Sequence, residues 1–269
     1  MKKAVSRVYL TLIYIFLYAP ILLLVVFSFN DTDTKSRTVW SGFSLRWYEM
    51  LFQDRMLLEA LKNTLIIAVC AALGATVLGT VAAIRINSMK GWRKKLVMNV
   101  TNLPMLNPEI VTGVSLMLLM VFVANLFGIS LGMGSIILAH ITFCLPYVIL
   151  SILPKLGQMD PHLYEAAQDL GCTPLRSFFK VVMPEIMSGV ITGMVMAFTL
   201  SLDDFIISYF CSGTTQTLPV YIYSMTKKRV SPEINALSTL LFAVILVLLL
   251  IINIRQGRMG KKEEKEADV

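Results

Sequence analysis

The sequence predicts an all-α membrane protein with six transmembrane helices, and three observations carry that prediction. Of its 269 residues 56% are apolar and 15% charged, against about 45–50% and about 25% in soluble domains. Runs of about 20 apolar residues, enough to cross a hydrocarbon core about 30 Å thick, recur along the chain. The hydrophobicity is continuous rather than alternating, which selects helices over the strands of a barrel.

The first run, residues 8–29, follows Lys2, Lys3 and Arg7. It exceeds the apolar core of a signal peptide and no A-x-A-like site follows it, so it reads as a retained anchor. Residues 30–63 form the only long connection and carry Trp40, Trp47 and Tyr48, residues suited to a membrane interface or to an external partner. The second span is 64–84, and like the first it holds no Asp, Glu, Lys or Arg. The third, 104–127, lies in a longer apolar stretch from 96 that Asn107-Pro108 interrupts. The fourth is 133–154, the fifth 185–210 and the sixth 234–254, with Ser231-Pro232-Glu233 as the N-terminal cap of the last.

Sixteen of the 24 Lys and Arg residues fall on the side of the N-terminus, so both termini are expected in the cytoplasm. The same bias accounts for the net charge of +7 without nucleic acid. The tail GRMGKKEEKEADV reads as a short solvated end. Cys70, Cys144, Cys172 and Cys211 show no C-x-x-C spacing and no disulfide framework, and read as packing residues. With no tandem repeat, low-complexity tract or soluble insert, residues 1–269 are expected to form one transmembrane domain.

The connection 155–184 stands out. Asp160 suits a helix N-cap, Pro161 the first helical position and Gly171 the left-handed residue past the end. The helix so defined places Leu163, Ala166, Ala167 and Leu170 on one face and His162, Glu165 and Asp169 elsewhere. Thr173-Pro174 starts a second helix. A helix this short is marginal alone and must pack on something. Lipid is one possibility, but small alanines without a Trp or Phe anchor favour a protein socket.

These residues carry a resemblance. Glu165-Ala166-Ala167, three residues, Gly171, nine residues and Val181-Val182-Met183-Pro184 resemble the EAA loop of ABC importer permeases, with Val181 and Met183 in place of Ile and Leu. The segments HITFCLPYVI, LYEAAQDLG, FTLSLDDF and IYSMTKKRVSPEINALSTLL extend the resemblance to the spermidine/putrescine branch, in particular to its second permease subunit. The resemblance implies the ABC importer permease (MetI-like) fold, in a multi-pass protein of the bacterial cytoplasmic membrane. It implies that Glu165, Ala166, Ala167 and Gly171 couple the chain to an ATPase. It also implies a related permease as heterodimer partner, a dimer of ATP-binding subunits and an extracytoplasmic polyamine-binding protein. ATP and Mg are expected in the partner ATPase and no cofactor in this chain, which has no G-x-x-x-x-G-K-[ST] loop of its own.

The residues also point to a pathway without any family. Apart from Glu185 at the very start of the fifth run, the charged side chains within the six runs are Glu109, Asp203 and Asp204, all acidic. Intramembrane charges are expensive and mark pathways or paired sites. No span supplies a cationic partner, so a proton, another subunit or a cationic substrate must compensate. Asn107 is a candidate cap and Pro108 a candidate helix start, which puts Glu109 in a positive first turn at a broken helix; alternatively, it marks the cytoplasmic entry of the third span. Ser188, Thr192, Thr199 and Asp203 fall on one helical face, read as inward, although Ser and Thr also bond back to their own helix. The Asp pair is a cation site or a pair satisfied by backbone or by a partner subunit. Tyr221 and Tyr223, expected in the loop after the fifth span, are cation–π candidates or interface anchors. Gly189 and Gly193 form a close-packing G-x-x-x-G.

Another solute, such as an amino acid or a sugar, is the alternative cargo, and the acids disfavour an anion. The remote alternative is an intramembrane serine hydrolase, since Gly128-Ile129-Ser130-Leu131-Gly132 matches G-x-S-x-G and His140 follows. That motif requires a strand-to-helix turn, where an inter-span connection is expected. His140 reads as a hydrogen-bonded packing residue.

Overall fold

The computed structural model describes residues 2–31, 39–128, 130–160, 162–228, 233–244, 246, 247 and 250. Pro161, Ile129, Ser231, Pro232 and the tail lie outside them, as does part of the sixth expected span. Every named element is helical, and five helices are long and apolar enough to cross a membrane. The chain divides into two compact units, one formed by Met1–Leu58 with Ile222–Val269 and the other by Glu59–Tyr221.

In the first unit α1 (Lys2–Phe27) carries the apolar run Ser6–Phe27, none of which is buried within the chain, as a helix bathed in lipid requires. The connection after it is more ordered than its sequence suggests. Asn30 forms a lone antiparallel bridge with Phe43. Its side-chain amide donates to the Val39 carbonyl at 2.8 Å and its Oδ1 accepts the Ser41 N–H at 2.7 Å. Helix α2 (Arg46–Gln53) brings Trp47 inward, where the indole donates to the Asn30 carbonyl at 2.9 Å. The Tyr48 hydroxyl meets Ser28 Oγ at 2.7 Å. Trp47 and Tyr48 thus fasten their own loop, and only Trp40 is widely exposed.

The second span is longer than expected. Asp54 Oδ1 accepts the N–H groups of Met56 and Leu57, so α3 starts at Arg55 and runs to Ser88. In the second unit the third span is two helices, α4 (Gly91–Leu106) and α5 (Glu109–Phe127), separated at Asn107-Pro108. Pro108 precedes the first helical residue of α5, while the Asn107 N–H closes α4 on the Leu103 carbonyl at 3.2 Å. Asn107 therefore ends one helix rather than capping the next. Gly128, at φ +65°, stops α5.

Helix α6 (Met133–Gln158) lies against α9 (Met183–Asp203), and this pair is the centre of the unit. The G-x-x-x-G reading holds: a Cβ on Gly193 would stand 3.2 Å from Val148 Cα, and one on Gly189 would stand 2.9 Å from the Ser151 carbonyl oxygen. Helix α3 also reaches α6, where a Cβ on Gly79 would meet Val148 Cγ1 at 2.7 Å.

The fifth span starts earlier and ends earlier than 185–210. It runs unbroken through α8 (Pro174–Ser177), a π-helical turn (Phe178–Val182) and α9. After a break at Asp204-Phe205 the short α10 (Ile206–Cys211) follows. Tyr221 and Tyr223 belong to α11 (Leu218–Lys228) rather than to a loop. The described start of the sixth run is α12 (Glu233–Val244).

Candidate functional site

Two regions hold the chemistry, and apart from Tyr223, which belongs to the first unit, their residues lie in the second. The first is acidic. His140 and Tyr147 lie about 10 Å and about 21 Å along α6 from Met133, at 1.5 Å per residue, so both are within the span. Glu109 is the first residue of α5, where unpaired N–H groups favour a carboxylate, and one turn further on a Cβ on Gly113 would stand 2.9 Å from Ile206 Cγ2 and 3.1 Å from Phe210 Cδ2 of α10. The start of α5 therefore lies near α10, just beyond the end of α9. The break at Asn107-Pro108 places it there.

The Asp pair divides into two roles. Asp204 turns back: its Oδ2 accepts the Ser208 N–H at 2.8 Å, its Oδ1 lies 3.4 Å from the Ile207 N–H, and its side chain is 7% exposed. It caps α10, which matches the backbone-satisfied alternative. Asp203 stays exposed, as does Glu109. Among the described residues, no Lys or Arg forms an ion pair with any of the three acids.

The polar stripe does not face this chain's interior. Ile186, Gly189, Gly193, Ala197 and Ser201 are the buried face of α9, whereas Ser188, Thr192 and Asp203 are exposed and Thr199 half-buried. At 100° per residue the stripe is displaced by roughly a third of a turn from the packed face. Thr192 and Thr199 return their hydroxyls to the carbonyls of Ser188 and Val195, so Asp203 is the stripe's charged group. Tyr221 is largely buried, and the Tyr223 ring already takes Lys227 Nζ at 4.8 Å from its centroid.

His140 emerges as a member that the sequence did not assign to this site. The packing role expected of it is realised: the ring is 1% exposed and engages Ser201, Ser208 and Asp204. Its partners are 61 or more residues away in sequence, so periodicity within α6 could not reveal them. Both ring nitrogens are occupied and Ser130 sits in a connection. Among the described residues the only extended pairing is the Asn30–Phe43 bridge. The strand-to-helix turn of a hydrolase nucleophile is therefore not formed at Ser130.

The second region is the connection 155–184. Asp160 Oδ1 accepts the His162 N–H at 2.9 Å, and α7 (Leu163–Asp169) starts two residues beyond the expected first position. Its end matches the expectation: Gly171 is at φ +88°, its N–H meets the Gln168 carbonyl at 2.8 Å, and the Cys172 N–H meets the Ala167 carbonyl at 3.1 Å. These two bonds form a Schellman ending. The four residues expected on one apolar face separate. Ala167 is half-buried beside Tyr164, whereas Leu163, Ala166 and Leu170 remain exposed, Leu170 at 88%. Glu165 is exposed within 3.7 Å of His162. Beneath, α7 packs on α8 and the π-helical turn.

The comparisons with known proteins agree with this architecture. Residues 75–263 match the family model described as "Binding-protein-dependent transport system inner membrane component". The chain is 44% identical over 244 residues to the putrescine transport system permease protein PotI of Escherichia coli strain K12, covering 88% of this chain and 85% of that one. It is 38% identical over 243 residues to the spermidine/putrescine transport system permease protein PotC of the same strain, covering 90% of each. In fold it resembles a chain of a bacterial ABC transporter involved in the import of the acidic polysaccharide alginate, with a TM-score of 0.73 at 18% identity over 95% of each chain. A chain of the MetNI methionine ABC transporter aligns with a TM-score of 0.60 at 19% identity, over 78% of this chain and 96% of that one. The expected permease fold is therefore present, and the chain is a transport component of the cytoplasmic membrane rather than an enzyme. It belongs to the family of binding-protein-dependent transport system inner membrane components.

Proposed function

We propose that the chain, acting over residues 1–269 as one permease domain, moves polyamines such as putrescine and spermidine into the cytoplasm. The observation that carries this reading is a pair of exposed acids on helices apolar enough to cross a membrane. Glu109 and Asp203 are both exposed, at the start of α5 and the end of α9, and among the described residues no Lys or Arg pairs with either. Carboxylates replace water around an ammonium group, and an aliphatic chain with an ammonium at each end suits two acids set apart. The names of PotI and PotC support the same cargo.

In this reading the uncovered polar stripe meets a related permease, so that the pathway runs between two subunits. Thr199 lines it below Asp203. Tyr221 and Tyr223 sit beyond the break in α9, and Tyr223 would receive an ammonium in exchange for Lys227. A dimer of ATP-binding subunits takes the exposed face of Glu165, Ala166 and Leu170, with Ala167 and Gly171 fixing the shape of α7. ATP and Mg act there, and an extracytoplasmic binding protein delivers the polyamine. ATP binding moves α7 and switches the spans between inward and outward access.

Uptake of radiolabelled putrescine and spermidine by the reconstituted transporter, with unlabelled amino acids and sugars as competitors, tests the cargo. Saturable, ATP-dependent polyamine uptake that those competitors leave unchanged is expected. Uptake of an amino acid or a sugar in its place rejects the proposal.

A further inference from the structure

The bend that separates Asp203 from Asp204 has no covalent cause. Residues 203–206 read Asp-Asp-Phe-Ile, without Pro or Gly, although sharp interruptions of helices normally trace to such residues or to an inserted side chain. The bend is held by side chains. Asp204 caps α10, and His140 of α6 reaches across: Nδ1 stands 2.6 Å from Ser201 Oγ before the bend, while Nε2 stands 3.2 Å from Ser208 Oγ and 3.4 Å from Asp204 Oδ2 after it. The two ring nitrogens thus serve opposite sides of the break, Nδ1 toward Ser201 and Nε2 toward Ser208 and Asp204. Each nitrogen of the buried ring is used, and removing either link strands a buried polar group.

The bridge sits toward one end of a closely packed pair. Helix α6 is continuous from Met133 to Gln158, and α7 follows it four residues later. Helix α9 is pressed against α6 at Gly189 and Gly193, and it grows out of the π-helical turn on which α7 packs. The pair therefore has α7 at one end and His140 with the acids toward the other. Single π-helical turns inside helices cluster at functional positions, and this one lies where α7 meets α9.

We propose that His140 is a positioning residue that couples movement of the α6–α9 pair to the acid site. It holds the bend so that Asp204 stays committed to α10 and Asp203 alone is presented to the uncovered face. The proposal rests on the transport reading above. It adds that the link between ATP use and cation movement passes through one buried imidazole.

The test uses the whole transporter in proteoliposomes, reading the putrescine KM, ATP hydrolysis and putrescine moved per ATP. His140→Asn keeps a group near Ser201 and loses reach toward Asp204. Its KM is expected to rise about tenfold and the transport per ATP to fall about threefold while hydrolysis continues. His140→Gln, whose amide reaches toward Asp204, is expected to restore KM to within about twofold. A wild-type KM and ratio in His140→Asn overturn the proposal. Should that variant not assemble, Ser208→Ala is read in its place, and wild-type values there overturn it equally. Asp203→Asn in parallel separates the two readings: unchanged uptake in that variant removes the cation site, whereas unchanged coupling in His140→Asn removes the bridge alone.

Discussion

Gly189 lies so close to Ser151 that a Cβ on it would stand 2.9 Å from the Ser151 carbonyl oxygen and 3.2 Å from Ile152 Cα. The obstacle is helix backbone, which cannot swing aside as a long side chain can. Gly189→Ala is therefore expected to destabilise the α6–α9 pair by about 1–3 kcal/mol, the range of overpacking in a tight core. Gly134→Ala, whose Cβ would meet nothing within 4 Å, serves as the control. Thermal unfolding in detergent, followed on both variants, checks the difference, and equal midpoints remove the claim that this contact holds the pair.

The exposed face of α7 gives the second prediction. Glu165 is bound to nothing larger than the neighbouring His162, and Leu170 is almost bare, so neither is needed to fold the chain. Glu165→Lys is expected to insert normally, to lose co-purification with the ATP-binding subunits and to lower polyamine uptake about tenfold or more. Normal ATP-coupled uptake in this variant removes the coupling role.

The two aspartates are expected to fail in different ways. Asp204→Ala deletes a helix cap and strands the N–H groups of Ile207 and Ser208 beside a buried imidazole, a loss of about 1–3 kcal/mol of stability. Asp203→Asn alters an exposed group, and its stability is expected within about 0.5 kcal/mol of the parent. Uptake is the reverse measure, because Asp203→Asn raises the putrescine KM at an unchanged melting temperature. If the double variant Asp203→Asn with Asp204→Asn takes up putrescine as the parent does, neither aspartate serves the cation.

Much of this was legible in the sequence, and the remainder was hidden for identifiable reasons. Apolar run length alone located the long helices, because lipid forces backbone hydrogen bonds inward. Pro108 announced the break in the third span, and Gly171 the end of α7, since both residues restrict or permit specific dihedrals. The break after Asp203 was invisible because side chains from distant segments cause it. Helical periodicity put Thr199 and Asp203 on one face but could not say whether that face met the chain's own core or a partner, so the stripe was assigned inward. His140 looked like an isolated packing residue. The available signal was the pair Ser201 and Ser208, seven residues apart on either side of the two aspartates.

The connection after α1 offers a test of stability and orientation together. Asn30 is 1% exposed and serves three segments at once, binding Val39 and Ser41 through its amide and Trp47 through its carbonyl. Asn30→Ala removes the two side-chain bonds and leaves the Val39 carbonyl and the Ser41 N–H without their partner, which loosens the turn by about 1–3 kcal/mol. The spans do not depend on these bonds, so the variant is expected to stay in the membrane while cleavage by trypsin at Lys35, Arg37 or Arg46 accelerates. The bias of Lys and Arg toward the N-terminal side leads us to expect this connection outside. Faster cleavage is therefore expected when trypsin is added to intact spheroplasts. Acceleration seen only in inverted vesicles reverses the orientation, and an unchanged cleavage rate from both sides shows that Asn30 does not hold the turn.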